Sequence, residues 1–102
     1  MPNAAQTYVD RRKLIYVMTT GKGGFFLRHG FHAGQLDVLE AALKQHPLRN
    51  PFEDVFQTVH GTKYVIRCTL PSPDGRNPCA LTVWMFDFGS TWGRFVTGYA
   101  SP

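Results

Sequence analysis

Apolar positions change their spacing near residue 50. Upstream they recur at helical intervals; downstream they alternate with polar ones. Leu14, Ile15 and Met18 share one face of a helix expected over 11–18, with Asp10 as its N-cap and Thr19-Thr20-Gly21 as its end. Phe25 and Phe26 anchor a second over 22–29, closed by Gly30. Leu36, Leu39 and Leu43, flanked by Val38 and Ala42, mark a third over 33–45, with Pro47 just past its end.

Four strands follow, expected over 54–60, 62–70, 79–88 and 94–99 and rich in Val, Ile, Thr, Phe and Tyr. Gly61, the 71–78 segment around Pro73-Asp74-Gly75, and Gly89-Ser90-Thr91-Trp92-Gly93 separate them. Connections this short join antiparallel neighbours. The pattern predicts an α+β fold: two or three N-terminal helices on one face of a four-stranded antiparallel β-meander. It reads as one domain, with a loose arm over 1–9, a helical part over 10–47 and the sheet over 53–100.

Alternation also assigns faces. Tyr64, Ile66, Cys68 and Leu70 point toward the helices; Lys63, Val65, Arg67 and Thr69 point away. On the third strand the aliphatic set Cys79, Leu81, Val83 and Met85 is expected inward, leaving Thr82, Trp84, Phe86 and Phe88 outward. Val55, Val59 and Val96 are further inward candidates. The open face would then carry His60, Lys63, Arg67, Thr82, Trp84, Thr97 and Tyr99. An antiparallel sheet tolerates one solvated face, so a plain polar surface explains the same pattern.

Charge gives that face a partner class. The 11 Lys+Arg against 7 Asp+Glu leave a net charge of +4, which favours anions: nucleic acid first, an acidic protein second. Cations meet phosphates and aromatic faces stack on bases. Cys68 and Cys79 lack zinc-site spacing and read as two buried free thiols. No metal or other cofactor is expected. No apolar run is long enough to span a bilayer, and the start lacks a signal-peptide core, so a cytoplasmic location is expected.

Metal-independent RNA cleavage needs a base for the 2′-hydroxyl proton, an acid for the leaving oxygen, and cations for the phosphorane charge. His60 can serve as base or acid. Lys63 or Arg67 can hold the phosphate, and Thr97 and Tyr99 can donate hydrogen bonds to it. Lys22, beside a glycine-rich helix start, can reach a nearby phosphate, although the spacing is not that of a P-loop. Arg28 and Arg94 complete the candidate RNA contacts, with Trp84 for stacking. His29 and His32 have no third ligand at metal spacing. The scattered acids form no catalytic carboxylate pair.

The runs Gly21-Lys22-Gly23-Gly24-Phe25-Phe26, Gly30-Phe31, His60-Gly61-Thr62-Lys63-Tyr64-Val65-Ile66, Pro73-Asp74-Gly75-Arg76, Thr82-Val83-Trp84 and Val96-Thr97-Gly98-Tyr99 resemble a family of small bacterial domains. The layout is similar to the barnase–EndoU–colicin–RelE class of ribonuclease toxins, which place helices before a four-stranded antiparallel sheet. The resemblance covers about 14–99. It implies a ribonuclease or translation-inhibiting toxin with a cognate antitoxin, and carries roles to Lys22, Lys63, Thr97 and Tyr99, with His60 added. Here Ala100 and Ser101 stand between Tyr99 and the final proline.

Three readings follow. The first is a small bacterial or phage toxin acting on RNA. The second is a non-enzymatic binding module, such as a phage inhibitor or immunity-type protein, using the same face. The third is an oligomeric subunit with an aromatic contact strip.

Overall fold

The computed structural model describes residues 1–20 and 23–101. Lys22, expected near a phosphate, lies outside the described residues. The elements run β1 (Thr7–Tyr8), α1 (Arg11–Thr19), α2 (Gly23–Arg28), α3 (Leu36–Arg49), β2 (Phe52–Gln57), β3 (Gly61–Thr69), β4 (Cys79–Asp87) and β5 (Gly93–Ala100).

The helix signals act locally. The Asp10 carboxylate accepts the Arg12 backbone N–H at 2.9 Å, covering an otherwise unpaired donor at the start of α1. Past the end of α2, Gly30 takes φ +93°, a conformation costly for any side chain. The third helix corrects its expected limits, because Pro47 lies inside it rather than beyond it. Proline there forfeits one backbone bond. Asn50 secures the final turn: its backbone N–H and its side-chain amide both donate to the His46 carbonyl, at 3.1 and 2.9 Å. The same amide reaches the Thr69 carbonyl at 2.9 Å and ties the helix to the sheet.

Among the described residues the fold is α+β with three helices, but the sheet has five strands and is mixed, in the order β1-β5-β4-β3-β2. The four-stranded antiparallel expectation missed β1, which pairs parallel to β5 through Thr7–Gly93 and Tyr8–Arg94. This strand comes from the segment read as a loose arm. Its two residues are too few to show a period. The other four strands form the antiparallel meander. At the β2–β3 turn, Gly61 takes φ +153°, and a Cβ there would collide with the Phe86 carbonyl.

All three helices pack on one face. Leu14, Val17, Phe25, Phe26, Phe31, Leu39 and Leu43 meet Ile66, Leu70, Ala80, Trp84 and Phe95 in a single core. Register fixes the β4 faces: Tyr64 opposes Trp84, Ile66 opposes Thr82, and Cys68 opposes Ala80. Thr82 and Trp84 therefore face the helices, and Leu81, Val83 and Met85 lie on the other side, the reverse of the expected assignment. Thr82 is fully buried because it satisfies two neighbours. The Trp84 indole N–H donates to Thr82 Oγ1 at 2.9 Å, and Thr82 Oγ1 lies 2.7 Å from His46 Nδ1. His46 Nε2 sits 2.8 Å from the Cys68 carbonyl. With the proton on Nε2, every polar group in this buried chain is paired.

The cysteines correct another expectation. Neither is buried, and a disulfide joins Cys68 to Cys79 across β3 and β4. No described helix is long and apolar enough to cross a membrane.

Candidate nucleic-acid interface

The face opposite the helices can be mapped row by row from strand register. One row crosses all five strands: Tyr8 beside Arg94, Arg94 beside Met85, Met85 beside Lys63, and Lys63 beside Phe56. Strands about 4.8 Å apart place the Lys63 and Arg94 backbones about 10 Å from each other. The next row is Val65, Val83 and Thr97, and the third is Arg67, Leu81 and Tyr99. Leu81, Val83 and Met85 form an apolar stripe down the centre, shielded by the longer side chains on both flanks.

Charge concentrates at one end. Arg94 binds Asp87 through two hydrogen bonds of 3.0 Å each. These bonds, together with the Arg94 charge, lower the Asp87 pKa. The same contact raises that of Arg94. His60 precedes Gly61, which pairs with Asp87, and its carbonyl accepts the Phe88 N–H at 3.1 Å. The Lys63 ammonium lies 5.7 Å from the Phe56 ring centre, within cation–π range.

The expected site residues therefore separate. His60, Lys63 and Arg94 lie toward the same end of the sheet, and Thr97 is one row further along. Tyr99 and Arg67 lie at the far end, about 20 Å along the strands from the His60 turn. They cannot share one phosphate with His60. Arg67 is further engaged, by Glu53 at 2.6 Å and by Ser101 Oγ. Arg28 lies on the helical side, where its carbonyl accepts the Arg76 guanidinium. Trp84 must be withdrawn as a stacking platform: it has no exposed surface, because its ring packs edge-on against Phe95 inside the core.

Sequence reasoning missed Tyr8 and Asp87 and gave Phe56 no role. A legible signal existed for Asp87: it and Arg94 are opposite charges flanking a turn. Nothing comparable marked Tyr8, whose place depends on the β1–β5 pairing. Among the described residues, no three His, Cys, Asp or Glu side chains gather as a metal site would require.

Comparison with known proteins identifies the family. Residues 1–102 match DUF6883, a domain of unknown function, over their whole length. The chain belongs to the DUF6883 family. The fold of this DUF6883 domain is similar to that of a chain in the contact-dependent growth inhibition toxin–immunity protein complex from Klebsiella pneumoniae 342. The TM-score is 0.71 at 16% identity, over 97% of this chain and 97% of that chain. Identity this low establishes a shared fold. No curated protein matches the sequence significantly.

Proposed function

We propose that this DUF6883 domain is a small bacterial or phage toxin that acts on RNA as a metal-independent ribonuclease. Its class would be the barnase–EndoU–colicin–RelE toxins that the sequence motifs resemble. The observation that carries the reading is the Tyr8–Arg94–Met85–Lys63–Phe56 row on the uncovered sheet face, with His60 and Asp87 beside it. Lys63 and Arg94 would hold the scissile phosphate and stabilise the phosphorane. His60 would take the 2′-hydroxyl proton as that oxygen attacks phosphorus. The P–O5′ bond breaks, and a protonated acid supplies the 5′-hydroxyl proton, leaving a 2′,3′-cyclic phosphate. Tyr8 stands beside Arg94 and is our candidate for the acid. Fold likeness to a chain of a toxin–immunity complex supports both a toxin role and a protein partner.

The test is incubation of the domain with total tRNA and mRNA in EDTA. Cleavage to 2′,3′-cyclic phosphate ends is expected, with a loss of about 10²–10⁴ in rate for His60→Ala. Intact RNA at stoichiometric, folded protein refutes the reading.

One observation favours a second reading, an immunity-type or inhibitor module without chemistry. Val59 and Phe88, at adjacent turn tips beside the same row, are 85% and 70% exposed. An aliphatic tip offers nothing to a base but suits a protein interface. Under that reading Lys63→Ala weakens partner binding and no RNA cleavage occurs.

A further inference from the structure

The sheet ends unequally. On one side β1 offers two residues; on the other β2 offers six, every one of them exposed. The helices pack against β3 and β5 and leave β2 largely uncovered. An edge strand of this length presents unpaired N–H and C=O groups that another strand can match. Both of its faces are apolar in part. Phe52 and Val55 lie on the helical side, opposite Ile66 and Tyr64, and Phe56 lies on the open side, opposite Lys63. A bulge between Phe52 and Asp54 leaves 54–57 as the regular stretch.

Two charges at this edge are uncompensated among the described residues. Glu53 is bound by Arg67, but Asp54 makes no ion pair. Lys63 makes none either, and its ammonium leans over Phe56 toward the edge.

We infer that β2 is a self-association edge: two copies pair β2 with β2 antiparallel about a two-fold axis through Val55. Residues directly opposite in such a pair share a face. Val55 then meets Val55 of the second copy on the helical side. Asp54 meets Phe56 of the second copy on the open side. Each Asp54 carboxylate lies just beyond the Phe56 ring that the second copy's Lys63 leans over, two strand spacings or about 10 Å from that lysine's backbone. An extended lysine covers most of that distance. The contact occurs twice, as the symmetry requires.

Charge selects this register. An axis through Asp54 sets two carboxylates face to face. An axis through Phe56 places Asp54 opposite Thr58, past the end of the strand. Self-pairing is favoured over an unrelated strand because the unpaired anion and unpaired cation belong to the same chain, and a two-fold axis through Val55 brings each into line with its opposite on the second copy. The result is a closed dimer with a continuous ten-stranded sheet.

Light scattering and sedimentation equilibrium on the full chain test this without reference to RNA, with circular dichroism confirming that each variant is folded. The mass should rise with concentration to twice the 11.5 kDa of the chain and stop there. Asp54→Lys and Lys63→Asp should each weaken the dimer about tenfold or more, since each turns two attractions into repulsions. The double variant Asp54→Lys/Lys63→Asp should recover most of the loss. A chain monomeric up to about 1 mM, a dimer indifferent to Asp54→Lys, growth beyond two copies, or failure of the double variant to recover each overturns the inference.

Discussion

Thr82→Val tests the corrected faces of β4 directly. The two side chains have nearly the same shape, so the substitution opens no cavity. It does remove the hydroxyl joining the Trp84 indole N–H to His46 Nδ1. Both partners are fully buried and have no other route to water. Leaving one buried polar group unpaired costs about 1–3 kcal/mol. Two such groups, less the modest gain from burying a methyl in place of a hydroxyl, give a loss of about 2–4 kcal/mol. That is a large share of the roughly 5–15 kcal/mol that holds a domain of this size together. At about 4–8 °C per kcal/mol, Tm should fall by roughly 8–32 °C. Urea titration monitored by far-UV circular dichroism, read as the denaturation midpoint at unchanged slope, measures it. Were Thr82 and Trp84 on the open face, as strand alternation alone suggests, the substitution would cost under about 0.5 kcal/mol. A change that small refutes the buried chain and the face assignment with it.

Acid should destabilise the fold in a defined window. Burial lowers the His46 pKa below its usual 6.5, so the unfolded chain takes up a proton that the folded one refuses. Stability therefore falls as pH drops below 6.5, by up to about 1.4 kcal/mol per pH unit. Asp10 and Asp87, held ionised by hydrogen bonds from Arg12 and Arg94, contribute stability that is lost only on further acidification through the carboxylate range. Urea midpoints measured roughly between pH 7 and 5 isolate His46, and a flat profile there contradicts its neutral, buried state. Reduction of Cys68–Cys79 opens a loop with a sequence separation of 11 residues, and loop-closure entropy puts the loss at about 3 kcal/mol. Thermal melts with and without a dithiol should show it, and coincident melts would mean the link does not constrain the chain.

Much of the architecture is local and was legible. Capping by Asp10, the glycine after α2, the leucine stripe of α3 and the turn residues between strands act over three or four positions, and the sequence displays them. On β3 the alternation names its own faces, because Lys63 and Arg67 stand between Tyr64, Ile66 and Cys68. The candidate cations followed, and the structure places Lys63, Arg94 and His60 toward one end of the sheet.

The faces of β4 needed the tertiary structure. This central strand is mostly buried on both sides, so Leu81-Val83-Met85 and Ala80-Thr82-Trp84 are both apolar enough to be core. Pairing Tyr64 with Trp84 decided between them, and that contact spans 20 residues of chain. A bulge at Val83/Trp84 then resets the β5 register, turning Phe95 into the core while Arg94 and Thr97 stay on the open face. Tyr8 joins the row only because β5 offers a parallel partner. Local chemistry determined the elements and the supply of cations. Long-range strand pairing, which no short window of sequence contains, decided which cations share a surface and which tryptophan is buried beneath it.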